Sequence, residues 1–226
     1  LDANTTGDYN AALGKHALGA NTTANYNTAV GETALLANTT GAYNTAIGAR
    51  ALDGNTESNR NIAIGYDALG GTNTGGDNVA IGYQSMLANT GGYYNVALGR
   101  NSLNANTTGA ENTALGYGAL VANTTGHCNV AVGKESLAAA TTATGNIGIG
   151  FKALLANTTG ASNVAVGDNA ARSITTGGNN TAVGHNVLYS NTTAEENTAL
   201  GFQAGYNITT GNFNTALGHK ALYTQT

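Results

Sequence analysis

Apolar and polar residues recur along this chain in a pattern that returns every seventeen residues. Cutting before Leu1, Leu18, Leu35, Leu52, Leu69, Met86, Leu103, Leu120, Leu137, Leu154, Ala171, Leu188 and Gly205 gives thirteen copies without insertion or deletion, and residues 222–226 open a fourteenth in register. A gapless period means that each copy meets its neighbours through one geometry, because a loop of altered length would break the stack. With the positions of the repeat numbered one to seventeen, one is nearly always Leu, eleven is mostly Val, Ile or Thr, and thirteen is always Val, Ile or Leu. Position ten is Asn in every copy, as in Asn10, Asn27, Asn44, Asn112, Asn129 and Asn163, and fourteen is Gly in every copy, as in Gly14, Gly31, Gly48, Gly116, Gly133 and Gly167. Twelve is Ala except at Gly148, and five is Thr except at Asn73.

Seventeen residues are too few for two packed helices, and the β-branched residues at eleven beside an aliphatic thirteen favour strand. Two short strands per repeat are predicted, one over positions ten to thirteen, as in Asn27–Val30, and one from seventeen to five, as in Ala34–Thr39. Turns are expected at the Thr-Gly or Thr-Ala of positions six and seven, and after the glycine of position fourteen, where positive φ carries no Cβ clash. The predicted fold class is therefore all-β, a β-solenoid or parallel β-roll of thirteen 17-residue coils, one repeat domain over 1–226 with no helix longer than a turn. At about 4.8 Å per coil the rod would be on the order of 60 Å long. Equivalent side chains then stack as ladders: Leu35, Leu103, Leu120 and Leu154 with Val30, Ile47, Leu115 and Val166 are expected to be buried, and the position-ten amides to bond along the axis. If eleven and thirteen point inward, then Ala29, Ala46, Ala114, Ala131 and Ala165 lie on the opposite face. Their constancy predicts close packing against another sheet or chain, and side-by-side packing in a homo-oligomer is the arrangement expected.

The segments NTAVGETALLANTTG, NTAIGARALDGNTES and NTALGYGALVANTTG resemble the head repeats of trimeric autotransporter adhesins and the NTA-aliphatic-G-x-x-AL repeats of bacteriophage tail fibres. The resemblance covers the whole chain, although autotransporter head repeats are shorter. It implies a homotrimer of parallel β-rolls that attaches to a surface, in an extracellular, cell-surface or virion setting.

Composition excludes more than it adds. The chain has 33 glycines, no proline or tryptophan, and 9% charged residues, against about 25% in an ordinary domain. Net charge is −4 with scattered Lys and Arg, so no basic stripe exists for a nucleic acid. No apolar run reaches membrane-spanning length and no leader pattern is present, so membrane insertion is not expected. Cys128 is the single cysteine and is read as a tolerated small residue. His185 and His219 share position fifteen two coils apart with Phe202 between them, and His16 and His127 lie elsewhere, which argues against a metal site. The acids, such as Asp8 and Glu195-Glu196, form no same-face pair for general acid–base work. The stretch Gly70–Gly76 lacks the strand–loop–helix context of a phosphate loop. No catalytic residue, metal, cofactor or enzymatic activity is expected.

Aromatic residues recur at equivalent positions: Tyr9, Tyr26 and Tyr43 at nine, Tyr66 and Tyr83 at fifteen, and Tyr189, Tyr206 and Tyr223 at two. They are expected to stack on the surface and to offer a strip for a cell-surface glycan or receptor. Asn-Thr-Thr at Asn4, Asn21, Asn38, Asn106, Asn123, Asn157 and Asn191 fits the N-glycosylation rule. The function expected is that of a structural fibre or adhesin shaft. Ice binding through the threonine rank Thr5, Thr22 and Thr39 is the alternative. Neither end reads as a polar capping repeat, so the segment is expected to be internal to a longer fibre or to stack end to end as a filament.

Overall fold

In the computed structural model residues 1–224 are described, and the chain divides into two units, Leu1–Glu111 and Asn112–Thr226. The first contains β1 (Ala11–Leu13), β2 (Thr28–Val30), β3 (Thr45–Ile47), β4 (Ile62–Ile64), β5 (Val79–Ile81) and β6 (Val96–Leu98). Each pairs in parallel with the next in an unbroken register of seventeen, as in Thr28↔Thr45, Ala29↔Ala46 and Val30↔Ile47. The second contains β7 (Thr113–Leu115), β8 (Val130–Val132), β9 (Ile147–Ile149), β10 (Val164–Val166), β11 (Thr181–Val183), β12 (Thr198–Leu200) and β13 (Thr215–Leu217), paired in the same way. Each unit is a parallel β-solenoid with one coil per repeat, and no helix occurs among the described residues.

Among the described residues the second predicted strand is absent. Positions fourteen to four run through overlapping turns instead: Ala34 N–H donates to the Gly31 carbonyl at 3.3 Å, Leu36 to Thr33 at 3.2 Å and Asn38 to Leu35 at 3.4 Å. Thr33 (φ 55°) and Leu35 (φ 54°) are left-handed, which no extended strand admits. The remaining amides still reach the next coil, with Leu35 N–H on the Ala51 carbonyl at 2.9 Å and Ala37 on Asp53 at 3.0 Å. Holding a leucine at positive φ costs about 1–2 kcal/mol. Burying its side chain returns about 1.5–3 kcal/mol, so the burial of Leu35 offsets its backbone.

The strand faces are the reverse of the expected ones. Leu35, Leu103, Leu120 and Leu154 are fully buried as predicted, but their wall partners are the position-twelve alanines: Ala29, Ala46, Ala114, Ala131 and Ala165 are each 0% exposed inside their own coil. They therefore form no intermolecular face. Positions eleven and thirteen point outward; Val30, Leu115 and Val166 are half-buried and Ile47 is exposed. The reason is room. The other copies bury a methyl there, and at Gly148, the one copy without alanine, even a methyl would sit 3.3 Å from Leu137 Cγ and 2.6 Å from Ser136 Oγ, so the interior opposite the leucine row has no room for a larger side chain. The same volume constraint explains two other departures. Ala171 and Gly205, the small residues at position one, occur in the copies that place Ile174 and Ile208 at position four, and both isoleucines are buried.

Position fourteen requires glycine twice over. Gly116 has φ +134° and a Cβ there would meet the Gly133 carbonyl at 2.7 Å; Gly14, Gly31, Gly48, Gly133 and Gly167 repeat this conformation.

Candidate functional site

The invariant asparagines are structural. The Oδ1 of Asn27 accepts the backbone N–H of Asn44 at 2.9 Å, while its Nδ2 donates to the Gly41 carbonyl at 2.8 Å. Asn10 serves Asn27 alike, and in the second unit Asn112 serves Asn129, and Asn146 serves Asn163. Only a side chain with an acceptor and a donor at this reach does both. A second ladder runs at position four. Asn38 Nδ2 bonds Asn21 Oδ1 at 3.2 Å and the Gly41 carbonyl at 2.9 Å. These are the asparagines of the Asn-Thr-Thr triplets. Asn21, Asn38, Asn106, Asn123, Asn157 and Asn191 are all 0% exposed, which puts their amides out of reach of a glycan in the folded chain.

Three surfaces remain. The first is the outward strand face, whose position-thirteen row is aliphatic throughout, with Leu98 48% exposed in the first unit and Leu200 47% in the second. The second is the set of aromatic ladders. Tyr9, Tyr26 and Tyr43 stack at 4.8 and 5.0 Å, Tyr66 and Tyr83 at 5.5 Å, and Tyr189, Tyr206 and Tyr223 at 5.1 and 5.2 Å. Position fifteen carries more than the tyrosines singled out from sequence. Arg100 lies over the Tyr83 ring, Lys134 over those of Tyr117 and Phe151, and Phe202 stacks between His185 and His219. Reading aromatic and cationic residues as one class would have revealed this row.

The third surface is a slip of the ladder register within an unbroken period, signalled by Asn73 at a threonine position. Asn73 Oδ1 accepts from Asn89 Nδ2 at 2.7 Å, and Thr74 Oγ1 donates to the Thr90 carbonyl at 2.8 Å. Toward the sixth repeat both ladders are therefore met one residue late, while toward the fourth Asn73 Nδ2 reaches Ser58 Oγ at 3.0 Å in place of Asn55. Beside this slip a cleft of about 370 Å³ opens between the turns of the fourth and fifth repeats. There Arg60 binds Asp77 through Nε and Nη2 at 2.6 and 2.9 Å, which draws the Asp77 carboxyl below the usual carboxylate range. A separate pair of contacts joins Arg50 Nε to Asp67 at 3.0 Å and Asp53 at 3.5 Å. Burial pushes the Asp53 carboxyl up, against the pull of Arg50.

Among the described residues no three of His, Cys, Asp and Glu lie together as a metal site would need, and no helix is long and apolar enough to cross a membrane. Cys128 is exposed. Comparison of the chain with protein-family models, with curated proteins and with solved structures returns no match.

Proposed function

We propose that this chain is a non-enzymatic shaft segment of an extracellular fibre, of the kind found in surface adhesins and phage tail fibres, built from copies of itself side by side. The observation that carries the reading is the outward aliphatic row. Every coil carries Val, Ile or Leu at position thirteen, turned to the surface, and from the second coil on an alanine, or Gly148 in one copy, closes the interior. A row with a fixed axial repeat is matched over its length only by a partner with the same repeat, and a second copy in register supplies it. Burying such a row contributes about 25 cal/mol for each Å² of apolar surface removed. Three copies are favoured by the resemblance to trimeric adhesin heads. Sedimentation tests this directly: a trimer is expected, and a monomer at micromolar concentration sinks the side-by-side reading.

Ice binding retains one observation in its favour, the in-register outward threonines Thr181, Thr198 and Thr215 of β11, β12 and β13. The row is broken by Val130, Ile147 and Val164 in β8, β9 and β10. The more regular position-five threonines are mostly half-buried and spend their hydroxyl protons on the next coil, as Thr158 Oγ1 does on the Thr175 carbonyl at 3.1 Å. Absence of thermal hysteresis is therefore expected, and clear hysteresis would reverse the order of the two readings.

A further inference from the structure

The cleft beside the register slip exists because one turn is a residue short. In the other repeats of the first unit four residues separate the ladder threonine from the invariant asparagine; here Thr74 does the threonine's work and only Gly75, Gly76 and Asp77 precede Asn78. Two of those three have no side chain, so the turn draws back from the fuller Glu57–Arg60 turn of the preceding coil. The space left, about 370 Å³, is lined by Glu57, Ser58, Arg60, Thr74, Gly76 and Asp77 among others. That lies toward the small end of ligand sites, about 300–1,000 Å³, and suits one or two sugar rings.

We propose that this cleft binds a neutral oligosaccharide. The Arg60–Asp77 pair uses two of the five guanidinium N–H donors and leaves the others, with unused carboxylate lone pairs beside them, in one plane. Adjacent donors and acceptors of that kind match a vicinal diol, which both accepts and donates. Glu57 adds a further acceptor. Two carboxylates against one guanidinium disfavour an anionic ligand. Position nine continues the site on both sides, running Tyr43, Arg60, Asp77, Tyr94 in successive coils. Tyr94 N–H bonds the Gly76 carbonyl at 3.3 Å, which sets its backbone beside the cleft, and its exposed ring meets that of Tyr93 edge-on at 5.3 Å. Tyr43 is exposed on the other side. Such rings are surfaces on which the C–H face of a sugar rests. The assignment deepens the attachment role proposed above and rests on it for its purpose.

The test is supplied by the slip itself. Exchanging Thr72→Asn with Asn73→Thr returns asparagine to position four and threonine to five, restores the four-residue turn and leaves composition and charge unchanged. The full chain is applied to immobilised neutral hexose, N-acetylhexosamine and sialylated oligosaccharides, and affinity for the retained glycan is measured by calorimetry. Retention of neutral glycans is expected, with a loss of about tenfold or more in the exchange variant and in Glu57→Gln and Arg60→Ala. The far-UV circular dichroism of all three stays at the parent's, and Tyr9→Ala binds as the parent does. No retention, retention of sialylated glycans alone, full binding by the exchange variant, or equal loss in Tyr9→Ala overturns the cleft assignment. A parent that sediments as a trimer yet binds no glycan sinks this inference and leaves the fibre reading standing.

Discussion

Asn38 Nδ2 donates to Asn21 Oδ1 at 3.2 Å, and Asn38 Oδ1 accepts from Asn55 Nδ2 at 2.8 Å, so one buried amide links three successive coils. Asn157 occupies the same position between Ala140 and Ile174; its Nδ2 reaches the Gly160 carbonyl at 2.9 Å, but its Oδ1 has no partner. An unpaired buried polar atom costs about 1–3 kcal/mol. Asn38→Ala is therefore expected to lower stability by about 1–2 kcal/mol more than Asn157→Ala, because the first leaves Asn21 Oδ1 without its donor and takes one of the two acceptors of Asn55 Nδ2, and the second removes an atom already unpaired. Chemical denaturation of the two variants checks the order, and equal losses would count against an energetic role for the ladder.

Gly148 and Ser136 form a pair. Ser136 Oγ donates to the Gly148 carbonyl at 2.8 Å and occupies the space a methyl at 148 would need. Gly148→Ala alone is expected to destabilise. Combined with Ser136→Ala it should instead stabilise by about 0.5–1 kcal/mol, the usual gain of alanine over glycine in a strand. A double-mutant cycle reads this as a coupling of opposite sign to the single effect.

Charge placed on the two sides of a strand should separate folding from assembly. Ala131→Glu forces a carboxylate into a methyl-sized interior, where overpacking alone costs about 1–3 kcal/mol and the unpaired charge adds to it. Loss of the β-sheet spectrum is expected. Ile149→Glu lies on the outward row, 38% exposed, and is expected to keep that spectrum while sedimenting as a smaller species. The reverse pattern would mean that the strand faces are inverted.

The Asp53 carboxyl gives a pH dependence of defined sign. Burial raises its pKa in the folded chain, so the protonated form is favoured by folding. The stability it contributes is present below the unfolded carboxylate value and is lost as pH rises through the raised one. Asp53→Asn is expected to melt higher than the parent at neutral pH, with the gap closing as the pH is lowered through the carboxylate range. A gap that widens on acidification would show Arg50, and not burial, to dominate.

Much of this was legible without coordinates. The seventeen-residue period, the all-β solenoid, the buried leucine row, the glycine of position fourteen and the stacked tyrosines all follow from comparing copies, because a stack forces equivalent residues into equivalent surroundings. Asn73 was visible as an exception, but not that it marks a slip with a cleft beside it. That depends on which residue enters the ladder, and Asn73 and Thr74 enter it one place late while the period itself is unchanged.

What the sequence by itself determined is the repeat, its length and the residue type demanded at each position. What the tertiary structure decided is which side of each strand faces in. Hydrophobicity favours burying Val, Ile and Leu over Ala, and on that basis Val30, Ile47, Leu115 and Val166 belong inside. A seventeen-residue coil already holds a leucine and, in most copies, two asparagines in its cross-section, and at Gly148 a methyl would press on Ser136 Oγ at 2.6 Å. Volume overrules polarity there, since a close-packed interior has no place for three further carbons. The alanine goes in and the aliphatic goes out.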